Sequence, residues 1–123
     1  LKWVAAICIL VGGIGVMNIL LVSVRERRRE IGIMKSLGTT EGQICLLFLL
    51  EALVYALVGG CMGLVIGVGL IETAGRSIGL TPVIRLGDCV AVFLAALAVG
   101  LLFGVSPASR ASRMKPVDAL RDE

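Results

Sequence analysis

WVAAICILVGGIGVMNILLVSV, residues 3–24, runs for 22 residues without a charge, and RERRRE, residues 25–30, follows it at once. As an α-helix the first stretch is about 33 Å long, which matches a bilayer hydrocarbon core of about 30 Å. Two further stretches repeat the pattern. Residues 44–71 contain Glu51 as their only charge, and residues 89–105 contain none, with room to extend through Ala108. The chain as a whole has 58% apolar and 17% charged residues and a mean hydropathy of +1.01, against about half and a quarter in soluble domains. The sequence therefore predicts an all-α membrane protein. Three transmembrane helices cover about 3–24, 44–71 and 89–105, with a short cytoplasmic helix between the first two and an amphipathic cytoplasmic tail, 106–123.

The direction of the spans follows from the basic residues, because short loops rich in Lys and Arg stay on the cytoplasmic side. The segment 25–43 holds Arg25, Arg27, Arg28, Arg29 and Lys35, and the tail holds Arg110, Arg113, Lys115 and Arg121, nine of the twelve basic residues. Both are expected in the cytoplasm, leaving the N-terminus outside. The chain starts with Leu1 and enters its first span at once, without a basic lead or a cleavage site. It is expected to be a fragment of a longer chain, cut after an extracytoplasmic domain.

Several chemistries are set aside by composition. Histidine is absent, which excludes imidazole bases, ligands and switches. Cys8, Cys45, Cys61 and Cys89 match neither CxxC redox spacing nor paired zinc ligands, and are expected as small apolar fillers. Gly12, Gly13 and Gly15 followed by Asn18 lack the strand and the third glycine of a dinucleotide fingerprint. In a membrane helix they read as a close-packing surface with Asn18 as a cross-helix hydrogen bonder. Gly59, Gly63 and Gly67 recur at an interval of four and line one face of the second span, which is expected to be a close helix contact.

Glu51 is the one formal charge inside a span, and a carboxylate at the bilayer centre costs a few kcal/mol. It lies about 10 Å along the helix from Ile44. It can serve in coupling or gating, or sit as an interfacial carboxylate beside an arginine of the adjoining loop. In that loop Glu26 with Arg29 and Arg27 with Glu30 fall at i, i+3 and can pair. Ile31, Met34 and Leu37 then form a short apolar stripe that the membrane does not obviously bury, with Gly38 as C-cap and Thr39–Thr40 as a turn. Such a stripe beside basic residues can lie on lipid headgroups or dock into a groove of a soluble partner. In the tail, Ser106 before Pro107 and Pro116 ahead of Val117 and Leu120 are two helix-start signals.

The stretch from Gly12 to Gly38, GGIGVMNILLVSVRERRREIGIMKSLG, resembles the second transmembrane helix and coupling segment of FtsX-like permeases of the MacB type. Leu49, Leu50, Glu51 and Ala52, with Gly59, Gly60 and Gly63, resemble the third helix of that family, and PASRASRMKPVDALRDE its closing segment. The resemblance implies an ABC-exporter permease working as a homodimer or pseudo-dimer, which transmits ATP-driven motion of a nucleotide-binding partner to an extracytoplasmic domain. Arg29, Glu30, Ile31, Gly32, Ile33, Met34, Lys35 and Leu37 would then be the main coupling element. Pro107, Pro116 and Leu120 would mark the second, and Glu51 would occupy the family's acidic position. Besides an ABC ATPase and membrane lipid, a periplasmic adaptor and an outer-membrane channel are expected partners, and nucleic acid is not. No GxxxxGK[ST] loop is present, so no enzymatic activity and no cofactor are expected in this chain. ATP and Mg²⁺ would be held by a partner or a further domain.

Other readings stay open at the level of sequence. The chain could be a small self-associating membrane protein held by its glycine face, a truncated remnant, or a lipoprotein-release or cell-division member of the same family. An intramembrane aspartyl protease needs two opposed acids, whereas Asp88 and Glu51 fall near opposite membrane edges.

Overall fold

The computed structural model describes residues 1–121, with Ala119 and Leu120 described by their backbone alone; within them lie five α-helices and no strand. They are α1 (Lys2–Glu26), α2 (Arg28–Ser36), α3 (Glu41–Ser77), α4 (Leu86–Ser112) and α5 (Pro116–Arg121). Helices α1, α3 and α4 are each long and apolar enough to cross a membrane. Their outer surfaces carry exposed Leu, Ile, Val, Trp and Met side chains along most of their length. A bundle with so much outward apolar surface is an integral membrane protein.

The helices overrun the sequence-based spans at both ends. The largest excess is in α3, whose 37 residues extend about 55 Å. Its start is a capping box: the Gln43 amide donates to Thr40 Oγ1 at 3.4 Å, and the Thr40 amide donates to Gln43 Oε1 at 3.1 Å. The expected turn at Thr39–Thr40 is thus also the start of α3, announced by the T-x-x-Q spacing.

Glycines in the left-handed region end α2 and α3. Gly38 has φ +95°, with the Thr39 amide bonded to the Met34 carbonyl and the Gly38 amide to that of Lys35. Gly79 has φ +70°, with Leu80 bonded back to Gly75 and Gly79 to Arg76. Both are Schellman closures, which satisfy carbonyls a helix end would leave open.

One helix-start expectation is corrected. Pro107 does not open a new helix after Ser106; it lies inside α4, which runs on to Ser112. A proline withholds the amide that would bond to the carbonyl four residues earlier, but membrane helices tolerate this where neighbours surround the site, and Pro107 is fully buried. The second signal does open a helix, since α5 begins at Pro116.

Helix α4 is the centre of the bundle, packed along α3 and along α1, while α1 and α3 touch little. The α3–α4 seam is built from small residues. A Cβ on Gly104 would stand 2.6 Å from Ala52 Cβ, one on Gly100 2.5 Å from Ala56 Cβ, and one on Gly60 3.6 Å from Ala96 Cβ. These pairs keep one antiparallel register with a step of four, so the two backbones approach more closely than larger side chains allow. Farther along, Ile44, Phe48, Ala108 and Ala111 join Val24 and Ile31 in a buried cluster where α1, α2, α3 and α4 meet.

Candidate functional site

The site lies at the end of the bundle where α1 gives way to α2. Arg27 separates the two helices with φ −98° and ψ 16°. Its amide bonds to the Ser23 carbonyl and its carbonyl to the Ile31 amide, so one helical hydrogen bond is kept on each side of the break. The bend carries the Arg27 side chain to α3. Its Nε donates to Glu30 Oε2 at 3.1 Å and its Nη1 to Glu51 Oε2 at 3.4 Å. The guanidinium carbon lies 5.7 Å from the centroid of the Phe48 ring, within cation–π range. Glu51 therefore meets an arginine of the adjoining loop, an arrangement that offsets the cost of its depth.

Helix α2 turns one side inward. Ile31 is fully buried, Gly32 is buried and Met34 packs against the same cluster. The expectation of a free stripe at Ile31, Met34 and Leu37 is corrected accordingly, because the elbow at Arg27 lays α2 across the ends of its own bundle. Of the three, Leu37 remains in the open at 82% exposure, and Ile33 joins it at 45%. Arg29 and Glu30 are exposed as well.

Lys35 links the two short helices. Its ammonium, on a side chain only 9% exposed, donates to the Met114 carbonyl in the turn before α5 and stands 4.0 Å from Glu41. Helices α2 and α5 pack together. Pro116 is half-buried and Val117 is exposed; the side chain of Leu120, assigned by resemblance to the same element, lies outside the described residues. The sequence marks Arg27 as the i, i+3 partner of Glu30, a pair the structure makes, but not as the partner of Glu51. Phe48 and Met114 are not singled out by sequence, having no polar pattern to mark them.

The glycines divide into two groups. A Cβ on Gly13 would meet the Phe103 ring at 2.3 Å, whereas Gly12, Gly59, Gly63 and Gly67 have nothing within 4 Å. Gly12, Gly13, Gly59 and Gly60 line a shallow groove between α1 and α3, and Gly63 and Gly67 line another between α3 and α4 beside Pro82–Ile84. Asn18 is exposed near Tyr55. Gly100 and Gly104, which make the tight seam, went unremarked in the sequence, although their interval of four is the same signal. Of the cysteines expected as small apolar fillers, Cys45 packs on the buried cluster, and Cys8 and Cys61 face outward from the apolar helices.

A bundle of this kind, with a polar elbow closing one end, defines an integral membrane module. The model of the FtsX-like permease C-terminal family matches residues 3–116, and the chain belongs to that family. Among its relatives are the uncharacterized ABC transporter permease YknZ of Bacillus subtilis, 47% identical over 98% of this chain and 30% of the relative, and proteins named macrolide export ATP-binding/permease protein MacB. That of Bdellovibrio bacteriovorus is 42% identical and that of Brucella abortus 47%, each over 98% of this chain and 18% of the relative. The chain thus spans less than a third of the length of these relatives.

Proposed function

We propose that this chain is the mechanical end of an ABC exporter of the MacB type, in which α2 and α5 form one docking surface for an ABC ATPase that binds ATP and Mg²⁺. The observation that carries the reading is the joining of the two short helices at one end of the bundle, through Lys35 and the Met114 carbonyl, with Ile33 and Leu37 left exposed beside them. Apolar side chains on a helix rimmed by Arg29 and Glu30 suit a groove on a soluble domain. Because Ile31 and Met34 are seated in the bundle core, a push on α2 reaches α1 through the Arg27 elbow and α3 through Glu51. Nine of the twelve basic residues fall at this end, which supports a cytoplasmic location for it, an N-terminus on the periplasmic side and placement in the inner membrane. Macrolide export is the cargo class that the relatives' names suggest, and a second permease copy, a periplasmic adaptor and an outer-membrane channel complete the proposed assembly.

A photo-crosslinking residue at Leu37 or Ile33, in cells expressing the protein at native level, tests the docking surface. The expected product is an adduct to a polypeptide carrying a P-loop ATPase domain, absent when the crosslinker sits at outward-facing Val65. Adducts to lipid alone at Leu37 would sink the reading.

A further inference from the structure

The end of the bundle away from the Arg27 elbow holds a groove that the docking surface does not use. It has a volume of about 300 Å³ and lies between α3 and α4, with Gly63 and Gly67 along α3, Cys89 and Val92 along α4, and the segment 82–84 beside them. Asp88 is the one charged residue among its described lining residues. We propose that this groove binds an acyl chain of a phospholipid whose headgroup carries a primary ammonium, and that the ammonium sits on Asp88.

The hollow comes from side chains that α3 lacks. A Cβ on Gly63 or Gly67 would meet nothing within 4 Å, so the tight seam with α4, which still holds at Gly60 and Ala96, opens one turn farther on. Gly67 and Gly63 lie about 6 and 12 Å along α3 from Ile71, where its uncharged run ends. The hollow therefore has the length of part of an acyl chain within the hydrocarbon layer. On α4 the uncharged run begins at Cys89, and Asp88 is the residue before it. A carboxylate at headgroup level above an apolar hollow is complementary to an ammonium joined to an acyl chain. Asp88 is exposed and its side chain has no hydrogen bond or ion pair among the described residues. The same holds for exposed Arg85, three residues earlier, so one negative and one positive charge stand unpaired where a zwitterionic headgroup offers ammonium and phosphate. A primary ammonium gives the carboxylate a charge-assisted hydrogen bond, whereas a quaternary one has no proton to donate and an anionic headgroup is repelled. A further membrane helix is the poorer occupant, because the segment 82–84 lies along the groove and obstructs a body about 10 Å wide. That segment is held against α3: a Cβ on Gly75 would stand 2.8 Å from Pro82 Cδ.

Native mass spectrometry of the detergent-purified protein tests this with an equimolar mixture of phosphatidylethanolamine, phosphatidylcholine and phosphatidylglycerol of the same acyl chains. Retained phosphatidylethanolamine is expected to exceed each of the others. Asp88→Asn is expected to lower it about threefold, the scale of a partly solvated ion pair. Gly67→Leu puts a side chain into the hollow, and is expected to remove the retained lipid while leaving unfolding in SDS unchanged, which separates loss of the site from loss of the fold. Asp118→Asn, in α5 at the other end of the bundle, is expected to leave the adducts as they are. Equal retention of the three lipids, or undiminished phosphatidylethanolamine on the Asp88→Asn protein, would overturn the proposal. So would replacement of the lipid by micromolar tetraphenylphosphonium in the presence of excess phosphatidylethanolamine, which would make the groove a site for soluble amphipathic cations.

Discussion

At the scale of single residues, the decisive contact is the one Arg27 makes to two carboxylates and a ring. Its side chain is 38% exposed and that of Glu51 25%, so each charge keeps part of its hydration and the pair is neither a free surface bridge nor a fully buried one. A double-mutant cycle with Arg27→Met and Glu51→Gln is expected to give a coupling of about 0.5–1 kcal/mol, at the upper end of exposed pairs. Reversible SDS unfolding followed by circular dichroism measures it. Additive effects would mean that the 3.4 Å approach does not contribute to stability. The sequence made a partner for Glu51 foreseeable, because a lone acid near an arginine-rich loop costs less when paired. It could not say which arginine. That choice depends on the bend at Arg27, a backbone event with no glycine or proline to mark it.

At the scale of helices, small residues at an interval of four were legible as smooth faces, but the sequence does not say what covers each face. The structure assigns one such face, Ala52, Ala56 and Gly60, to its counterpart on α4, Ala96, Gly100 and Gly104. A Cβ on Gly59 or Gly63, one step away around α3, would meet no side chain or neighbouring helix within 4 Å among the described residues. Two substitution series should therefore behave differently. Gly100→Val and Gly104→Val drive a branched side chain into Ala56 and Ala52, and are expected to destabilise the bundle by about 1–3 kcal/mol. Gly59→Val and Gly63→Val are expected to leave the unfolding of the isolated chain unchanged. If they weaken self-association in native gels while sparing stability, the open face is a surface between copies. Equal destabilisation by both series would contradict the register described above. Pro107 shows the limit of local signals: taken alone it starts a helix, and only its complete burial explains why α4 continues through it.

For the whole molecule, the relation between helix length and bilayer thickness sets what water can reach. Helix α3 is about 25 Å longer than a typical hydrocarbon core, so both its ends project into the interfaces while Cys61, near its middle, faces outward. Exposure within the chain is then exposure to lipid, out of reach of a reagent that stays in water. In a Cys45→Ser, Cys89→Ser background, Cys8 and Cys61 are expected to resist a membrane-impermeant maleimide in intact cells and to react once SDS unfolds the bundle. Against that silent background a cysteine at either end reports its side of the membrane. Ser77→Cys, at the last turn of α3, is expected to react in intact cells, and Thr39→Cys, between the α2 cap and the start of α3, only after the membrane is opened. The reverse pattern would place the arginine-rich end outside, and the docking surface on α2 and α5 would lose access to any ATPase that works in the cytoplasm. Labelling of Cys61 in intact membranes would instead mean that α3 borders water at its middle, and that the bundle lines a passage there.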